Sequence, residues 1–439
     1  MQGTTGGKAM RLAKRLGWLQ QGATAQRGAT EAGAAASDAR LQALQRLRHM
    51  ASTAGQTGGA TTVDIAARMA AAQKLWPHKH RAVAPDGVVA WRWMLQADPH
   101  YGTLAGLPAP AALAQMLGVA PAQLPEATTL MVLDTETTGL GRGAGTLPFV
   151  LGVATLGRAE LGLWQALLLD PAAEGRMLQA LAAQMRGPTL LLSYNGKSFD
   201  WPLLRARALR WRQALPAPVA HLDLLPWVRR ALGHALPSCR LTAVEPALWP
   251  GCRPPTDVPS AAVPTLYRDF LRSGAVDPLQ PVLVHNRSDV LAVVALLQRL
   301  AAQCLAPTPQ WAAGEVRVAR WTVQGQQPSA QRQVQRAMRV REAACATEAA
   351  LLAASLARRT GDVVCEGQCL AQAAAAAQRS DDQALRAQVC VAQAKYHEHR
   401  TRDLQQALIW AEQAAQHGAA EAVRRCTRLR ARLKRRGVR

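Results

Sequence analysis

The chain has 439 residues with 52 Lys and Arg against 29 Asp and Glu, a formal net charge of +23. This excess favours a densely negative partner such as nucleic acid, although an Arg-rich proteome explains it equally well. A chain this long exceeds one ordinary hydrophobic core, so we expect two folded domains. It lacks an apolar run of about 18 residues and the features of a signal peptide, so we expect a soluble, cytoplasmic protein with no membrane partner.

The first 127 residues contain little that predicts a packed core. Residues 1–75 are rich in Ala and Gly, with scattered basic clusters, and predict a poorly ordered segment. Residues 76–127 hold Trp76, Trp91 and Trp93 together with several prolines. We interpret that stretch as an ordered lead-in to the domain that follows.

Residues 128–305 change to short apolar, β-branched runs that alternate with stretches of helical spacing, which predicts an α/β fold. The predicted strands are 129–133, 149–156, 162–169, 189–194 and 221–225. The predicted helices are 176–185, 201–211 and 288–302. The proline-rich stretch 236–280 predicts a loop-heavy insertion before the last helix.

The C-terminal part predicts helices. Residues 306–342 indicate a linker, and residues 343–435 are dominated by Ala, Leu, Gln and Arg at helical period, which predicts an all-α helical-repeat domain. Small residues at facing positions and a Tyr at a helix end in 387–416 resemble a tetratricopeptide-type helix pair, with a generic helical bundle as the alternative. The basic run 424–439 is typical of a solvated helix end.

Asp134 and Glu136 end the first predicted strand of the α/β region. Residues two apart in a strand point to the same face, so the two carboxylates lie side by side and repel each other. Mg²⁺ or Mn²⁺ offsets such repulsion by binding carboxylate oxygens. A solvated strand end accounts for most isolated Asp-x-Glu sequences, so this pair alone does not define a site.

Two further acidic elements strengthen that hypothesis. Asp200 follows an apolar strand and an Asn-Gly turn, at the predicted start of a helix, which is a natural position to face a metal. His285 and Asp289 are four residues apart, so both face one cleft if that turn is helical. The alternative for His285 is a capped helix start.

The turns beside these acids contain weaker candidates for substrate binding. They are Thr138, Gly139, Tyr194, Asn195 and Lys197. The conformational needs of the two turns explain Gly139 and the Asn-Gly pair equally well. Asp223 in the next predicted strand is either an acid that supports the site or a solvated strand end.

Together these motifs resemble, in order and approximate spacing, the three exonuclease motifs of the DEDD family within the ribonuclease H-like superfamily. The longer match is to the YprB-like ribonuclease H-like proteins, which often carry tetratricopeptide-like repeats. The stretches that carry the resemblance are 134–140, 143–152, 194–200, 221–225 and 285–291.

The resemblance implies a ribonuclease H-like mixed five-stranded sheet flanked by helices. It also implies that two divalent cations, Mg²⁺ or Mn²⁺, are held by Asp134, Glu136, Asp200 and Asp289. His285 would be the general base, although the family's His class commonly has four residues, not three, before the last acid.

The function that the resemblance implies is hydrolysis of phosphodiester bonds in DNA or RNA, with single-stranded nucleic acid cut from its 3′ end. Two alternatives stay open. One is a ribonuclease H-like endonuclease, which uses the same carboxylate geometry. The other is a nucleic-acid-binding scaffold whose C-terminal helical repeats recruit a protein partner.

Overall fold

The computed structural model describes residues 64–76, 87–123, 128–139, 145–253, 257–305, 312–324 and 330–437. These residues form two compact units. The first unit takes the described residues within 1–117, 121–229 and 235–304, and the second takes those within 118–120, 230–234 and 305–439. Most of the predicted N-terminal segment 1–75 lies outside the described residues, including its basic clusters.

The first unit is built on a mixed sheet that has six strands within the described residues, in the order β1-β6-β5-β4-β7-β8. The strands of the unit are β1 (Val88–Leu95), β2 (Ala97–Asp98), β3 (Gly102–Thr103), β4 (Thr129–Thr137), β5 (Pro148–Leu156), β6 (Leu161–Leu168), β7 (Thr189–Ser193) and β8 (Ala220–Asp223). β4 pairs antiparallel with β5 and parallel with β7, while β2 and β3 form a separate small ribbon. The predicted α/β fold class is confirmed, since all five predicted strands are present.

The sixth strand of the sheet, β1, comes from the predicted lead-in segment. It pairs antiparallel with β6 along its whole length, from Val88 opposite Leu168 to Leu95 opposite Leu161. Trp91 on this strand is fully buried. Apolar side chains on β1 therefore extend the core beyond the five strands that the resemblance implies.

Helices cover the sheet. The helices of the first unit are α1 (Ile65–Gln73), α2 (Pro110–Leu117), α3 (Glu174–Ala182), α4 (Asp200–Arg210), α5 (Leu224–Ala231), α6 (Leu241–Leu248), α7 (Val263–Ser273) and α8 (Gln280–Leu305). The prediction of a loop-heavy insertion at 236–280 is wrong for α6 and α7. Tyr267 on α7 is buried and stacks on Phe149 of β5, with ring centroids 4.0 Å apart, which explains why the segment is ordered.

The prediction of a poorly ordered segment at 1–75 is wrong at the C-terminal end of that segment, where α1 forms. The Arg68 side chain on α1 is buried and donates to the carbonyl oxygens of Leu169 at 3.3 Å and Leu271 at 3.1 Å. Its guanidinium carbon also lies 4.8 Å from the centre of the Phe270 ring. A short Ala-rich helix is thus held in place by one buried cation.

Helix α8 begins eight residues before its predicted start, so His285 and Asp289 both lie within it. The segment Asp277–Leu305 has the length and hydropathy of a membrane span, yet 61% of its most apolar window is buried within the fold. Core helices of soluble proteins pass the same test, so the finding is weak evidence for a membrane.

The second unit is helical. Its helices are α9 (Ala312–Gln324), α10 (Ala330–Met338), α11 (Ala343–Thr360), α12 (Val363–Gln378), α13 (Gln383–Tyr396), α14 (Leu404–Gln416) and α15 (Ala420–Gly437). Two of them, α9 and α10, occupy the predicted linker 306–342, because Val316, Ala319 and Val334 at helical spacing pack into one buried cluster. The resemblance of α13 and α14 to a tetratricopeptide pair stays a prediction.

Gly152 on β5 lies at a close contact between α8 and the sheet. In the register of the sheet, Gly152 lies opposite Asp134 on β4 and opposite Gln165 on β6. A Cβ atom at this position would lie 2.4 Å from Asn286 Oδ1 and 2.7 Å from Val290 Cγ2, both on α8. The missing side chain therefore makes room for the Asn286 carboxamide.

We expect Gly152→Ala to lower the free energy of unfolding by about 1–3 kcal/mol, because the added methyl group overpacks the contact between α8 and the sheet. Gly162→Ala is the matched control, since a Cβ there would meet its nearest heavy atom at 3.8 Å. Denaturant unfolding of the full chain measures both effects. Equal stability of the two variants would contradict the close packing at Gly152.

Candidate active site

The four predicted carboxylates meet at the carboxyl end of β4. Asp134 and Glu136 belong to β4, Asp200 is the first residue of α4, and Asp289 lies on α8. Burial raises the pKa of Asp134 well above its usual range, and the charges of Asp289, Asp200 and Glu136 raise it further. Residues distant in the sequence thus form one electrostatic cluster.

The pKa values of the other two buried acids, Glu136 and Asp200, are also raised. Burial raises the pKa of Glu136 to about 8, with the charge of His285 opposing and those of Asp289 and Asp200 adding to the shift. Burial also raises the pKa of Asp200 to about 6, against the hydrogen bond that it accepts from the Thr135 hydroxyl. Excess negative charge is therefore held at this site without full compensation by the chain itself.

Asp223 on β8 shapes the turn that leads to Asp200. Its carboxylate accepts hydrogen bonds from the backbone N–H groups of Asn195 at 2.8 Å, Lys197 at 3.2 Å and Leu225 at 3.0 Å. Asn195 has a φ of 69°, in the left-handed region that Asn tolerates. The alternative of a solvated strand end is wrong for Asp223, because this side chain is buried.

Asp134 is held by a chain of hydrogen bonds that crosses the sheet. Gln165 on β6 donates through Nε2 to Asn286 Oδ1 at 2.8 Å and to the Leu283 carbonyl oxygen at 2.9 Å. Asn286 then donates through Nδ2 to Asp134 Oδ2 at 2.8 Å. The sequence offers no motif for Gln165 or Asn286, although Asn286 directly follows His285.

His285 is buried on α8 and faces two acids. Its Nε2 lies 3.9 Å from Asp289 Oδ2, and its Nδ1 lies 2.9 Å from Asp257 Oδ1. The alternative of a capped helix start is wrong, because α8 begins five residues earlier at Gln280. The one-turn separation places His285 and Asp289 on the same face, as the sequence predicts.

The protonation of the His285 ring follows from its neighbours. The hydrogen bonds from His285 and Arg253 lower the pKa of Asp257 to about 2, although burial acts in the opposite direction. An ionised carboxylate only accepts, so Nδ1 of His285 carries the proton that faces Asp257. Arg253 Nη1 donates to Asp257 Oδ2 at 2.8 Å and lies 3.2 Å from His285 Nδ1. The other ring nitrogen, Nε2, faces Asp289.

Arg253 ties these acids together. Its guanidinium also pairs with Asp289 and with Glu245, and Glu245 accepts a hydrogen bond from the Tyr101 hydroxyl at 2.7 Å. The Arg253 side chain is only 6% exposed. Sequence reasoning missed Arg253, Asp257 and Glu245, which lie in the stretch predicted to be loops.

The predicted substrate-binding residues differ in whether their side chains already form hydrogen bonds within the protein. Thr138 accepts a hydrogen bond from the Leu147 N–H at 2.9 Å and so closes the turn after β4, while a Cβ at Gly139 would lie in open space. The Tyr194 hydroxyl donates to the Cys239 carbonyl oxygen, which assigns it a structural bond. The remaining candidates, Asn195 and Lys197, have exposed side chains.

The chemistry of this donor set fits a hard divalent cation. All four acids offer carboxylate oxygens, the ligands that Mg²⁺ and Mn²⁺ prefer. In the part of the chain that the structure describes, no group of three Asp, Glu, His or Cys side chains is arranged so that it could already hold a metal ion. Several of these oxygens instead accept hydrogen bonds from Asn286, Thr135 and Arg253.

Comparisons with known proteins agree with this geometry. A family model described as the RNase_H superfamily matches residues 131–301, which include all four carboxylates. The protein named "Uncharacterized protein YprB" of Bacillus subtilis (strain 168) is 30% identical over 311 residues, which cover 70% of this chain and 74% of that protein. Ribonuclease H-like nucleases generally use divalent metal ions, and their substrate is nucleic acid. The chain therefore belongs to the YprB-like proteins of the ribonuclease H superfamily, a superfamily of nucleases.

Proposed function

We propose that this protein is a metal-dependent nuclease that removes nucleotides from the 3′ end of single-stranded DNA or RNA. The convergence of four carboxylates at the end of β4 is the observation that carries this proposal. Buried like charges are costly to keep together unless a cation offsets them. The 3′-to-5′ direction is supported by the resemblance of the three motifs to the DEDD exonucleases.

In this proposal Asp134, Glu136, Asp200 and Asp289 hold two divalent cations, Mg²⁺ or Mn²⁺. Two such ions supply an activated water and stabilise the leaving oxygen when a phosphodiester is hydrolysed. Asn286 and Thr135 orient two of the carboxylates through the hydrogen bonds that they donate. Supporting hydrogen bonds of this kind direct carboxylate oxygens toward a shared centre.

We assign His285 the role of general base and Asp257 the role of a positioning residue. Asp257 holds the proton on Nδ1, so Nε2 is the atom that accepts a proton from the attacking water. Burial lowers the pKa of His285, but the hydrogen bond to Asp257 and the charges of Asp289 and Glu136 together raise it to about 9. With this pKa the ring is protonated at neutral pH and cannot accept a further proton. A base role at neutral pH therefore requires that the charges of the metal-binding acids be offset.

Asp134→Asn should abolish cleavage while leaving the fold intact, because Asn keeps the shape of the side chain and removes its charge. The measurement is degradation of 5′-labelled single-stranded DNA and RNA with Mg²⁺ or Mn²⁺, against EDTA. Asp277→Asn, at an exposed acid, is the control. A ladder that shortens from the 3′ end supports the exonuclease, and internal cuts support the endonuclease. Full activity of Asp134→Asn would show that the site is misassigned.

Asp257→Asn should lower kcat about 10–100-fold with little change in KM, because the imidazole loses the carboxylate that holds its Nδ1 proton. Asp257→Glu keeps a carboxylate and should restore part of the rate. Nitrogen NMR of the neutral His285 ring, recorded above its pKa of about 9, checks the role directly, since the Asn variant should lose the preference for a proton on Nδ1. An unchanged tautomer and rate would leave Asp257 a purely structural role.

The crowded acids should also make the metal-free protein less stable as the pH rises. The pKa of Glu136 is about 8 in the fold against its usual 4.5, so the folded state binds this proton more tightly than the unfolded chain. The stability that this proton contributes is complete below pH 4.5 and is lost as the pH rises through about 8.

Glu136→Gln removes this dependence. In EDTA we expect its Tm to exceed that of the parent by a few degrees at pH 8, with a smaller difference at pH 5. Glu160→Gln, at an exposed acid, should follow the parent curve. If the Tm of Glu136→Gln fell as much as that of the parent between pH 5 and pH 8, the proton on Glu136 would not contribute to the stability of the fold.

A further inference from the structure

Helix α15 carries a large share of the positive charge of the chain. Of its 18 residues, eight are Lys or Arg and only Glu421 is acidic. The sequence predicts a solvated helix end for such a run. Most of its charged side chains are exposed in the fold, so the charge is available to a partner.

The apolar side of α15 is already used. Cys426 and Leu429 are buried in a cluster with Leu404 and Ala411 of α14, and Leu433 packs against the same cluster. A helix that lies on a membrane needs a free apolar face to insert. Since packing against α14 occupies that face, the surface left to a partner is mainly charged.

Part of the basic surface is only incompletely neutralised. The buried carboxylate of Glu398 accepts hydrogen bonds from three guanidinium groups, those of Arg425, Arg428 at 2.7 Å and Arg432 at 2.8 Å. One negative charge thus faces three positive charges and neutralises only one of them. The Arg428 and Arg432 side chains stay 53% and 44% exposed, and each guanidinium has five N–H donors, so donors remain for a ligand.

Three further cations on α15 lie outside the ion pairs seen among the described residues. Arg424, Lys434 and Arg435 are exposed, and within the described part of the chain no carboxylate pairs with them. The first and the last are eleven positions apart in the helix, a distance of about 16 Å. This length is sufficient to place cations beside several successive phosphates of one strand.

We infer that α15 is a binding surface for the phosphate backbone of a nucleic acid strand, read by charge and not by base sequence. The exposed cations of α15 follow the regular spacing of a helix, and its apolar side packs against α14. These two features favour phosphates over a lipid bilayer as the partner. The inference rests on nucleic acid as the partner in the proposed function. It does not require that the four carboxylates cleave that strand.

The test measures binding without cleavage. The full chain carrying Asp134→Asn, in EDTA, is titrated into labelled single-stranded DNA and RNA while anisotropy is recorded over a series of salt concentrations. Replacing Arg424, Lys434 and Arg435 by Gln should make the plot of log K against log salt shallower by about 2, since each lost phosphate contact on a single strand contributes roughly 0.7. Affinity at low salt should fall about tenfold or more.

Two controls distinguish binding by the α15 surface from a general effect of the protein's net charge. Arg424→Lys with Arg435→Lys keeps every charge and should bind like the parent. Arg339→Gln, Arg359→Gln and Arg379→Gln remove three exposed charges elsewhere in the second unit and should change the slope little.

Three results would overturn the inference. They are an unchanged slope in the α15 variant, an equal loss in the control with three Gln substitutions, and α15-dependent binding to phosphatidylserine vesicles without binding to oligonucleotides. Strong α15-dependent binding by a protein that never cleaves would instead sustain this inference and remove the proposed nuclease function.

Discussion

Negative charges at the carboxyl end of β4 repel one another, and much of the surrounding structure consists of groups that direct or partly neutralise them. Asn286 and Thr135 donate hydrogen bonds to two of the carboxylates, while Arg253 pairs with Asp289. These groups stabilise particular oxygens without removing the excess charge, as the raised pKa of Glu136 indicates. The fold therefore holds its acids in place at a cost in stability, which is common at functional sites.

The site draws on two kinds of structure. Regular elements of the sheet and its flanking helices supply the carboxylates, whose positions are set by register and by the start of α4. The insertion between β8 and α8 supplies Arg253 and Asp257, which surround His285. Mutual distances within the acidic cluster thus depend on the sheet, whereas the orientation of the imidazole depends on the ordering of a proline-rich segment.

Local patterns in the sequence were sufficient to predict much of this arrangement. Short apolar, β-branched runs mark β4 to β8, and the spacing of Asp134 and Glu136 follows from strand geometry. The sequence does not predict that the segment around Trp91 adds a sixth strand to the sheet, because its pairing with β6 depends on residues far away in the chain. The bond between Asp257 and His285 was missed for the same reason, since 28 residues separate the partners and no motif marks Asp257.

The bonds from Gln165 through Asn286 to Asp134 have a direction. Each amide in the series uses its nitrogen toward the site and its oxygen away from it, so the rotamer of one fixes the rotamer of the next. Gln165 also donates to the Leu283 carbonyl oxygen, which leaves this side chain no equivalent flipped state. A buried glutamine two strands from β4 thereby decides whether Asp134 meets a donor or a second oxygen, so the orientation of an acid at the site depends on a residue that never contacts it.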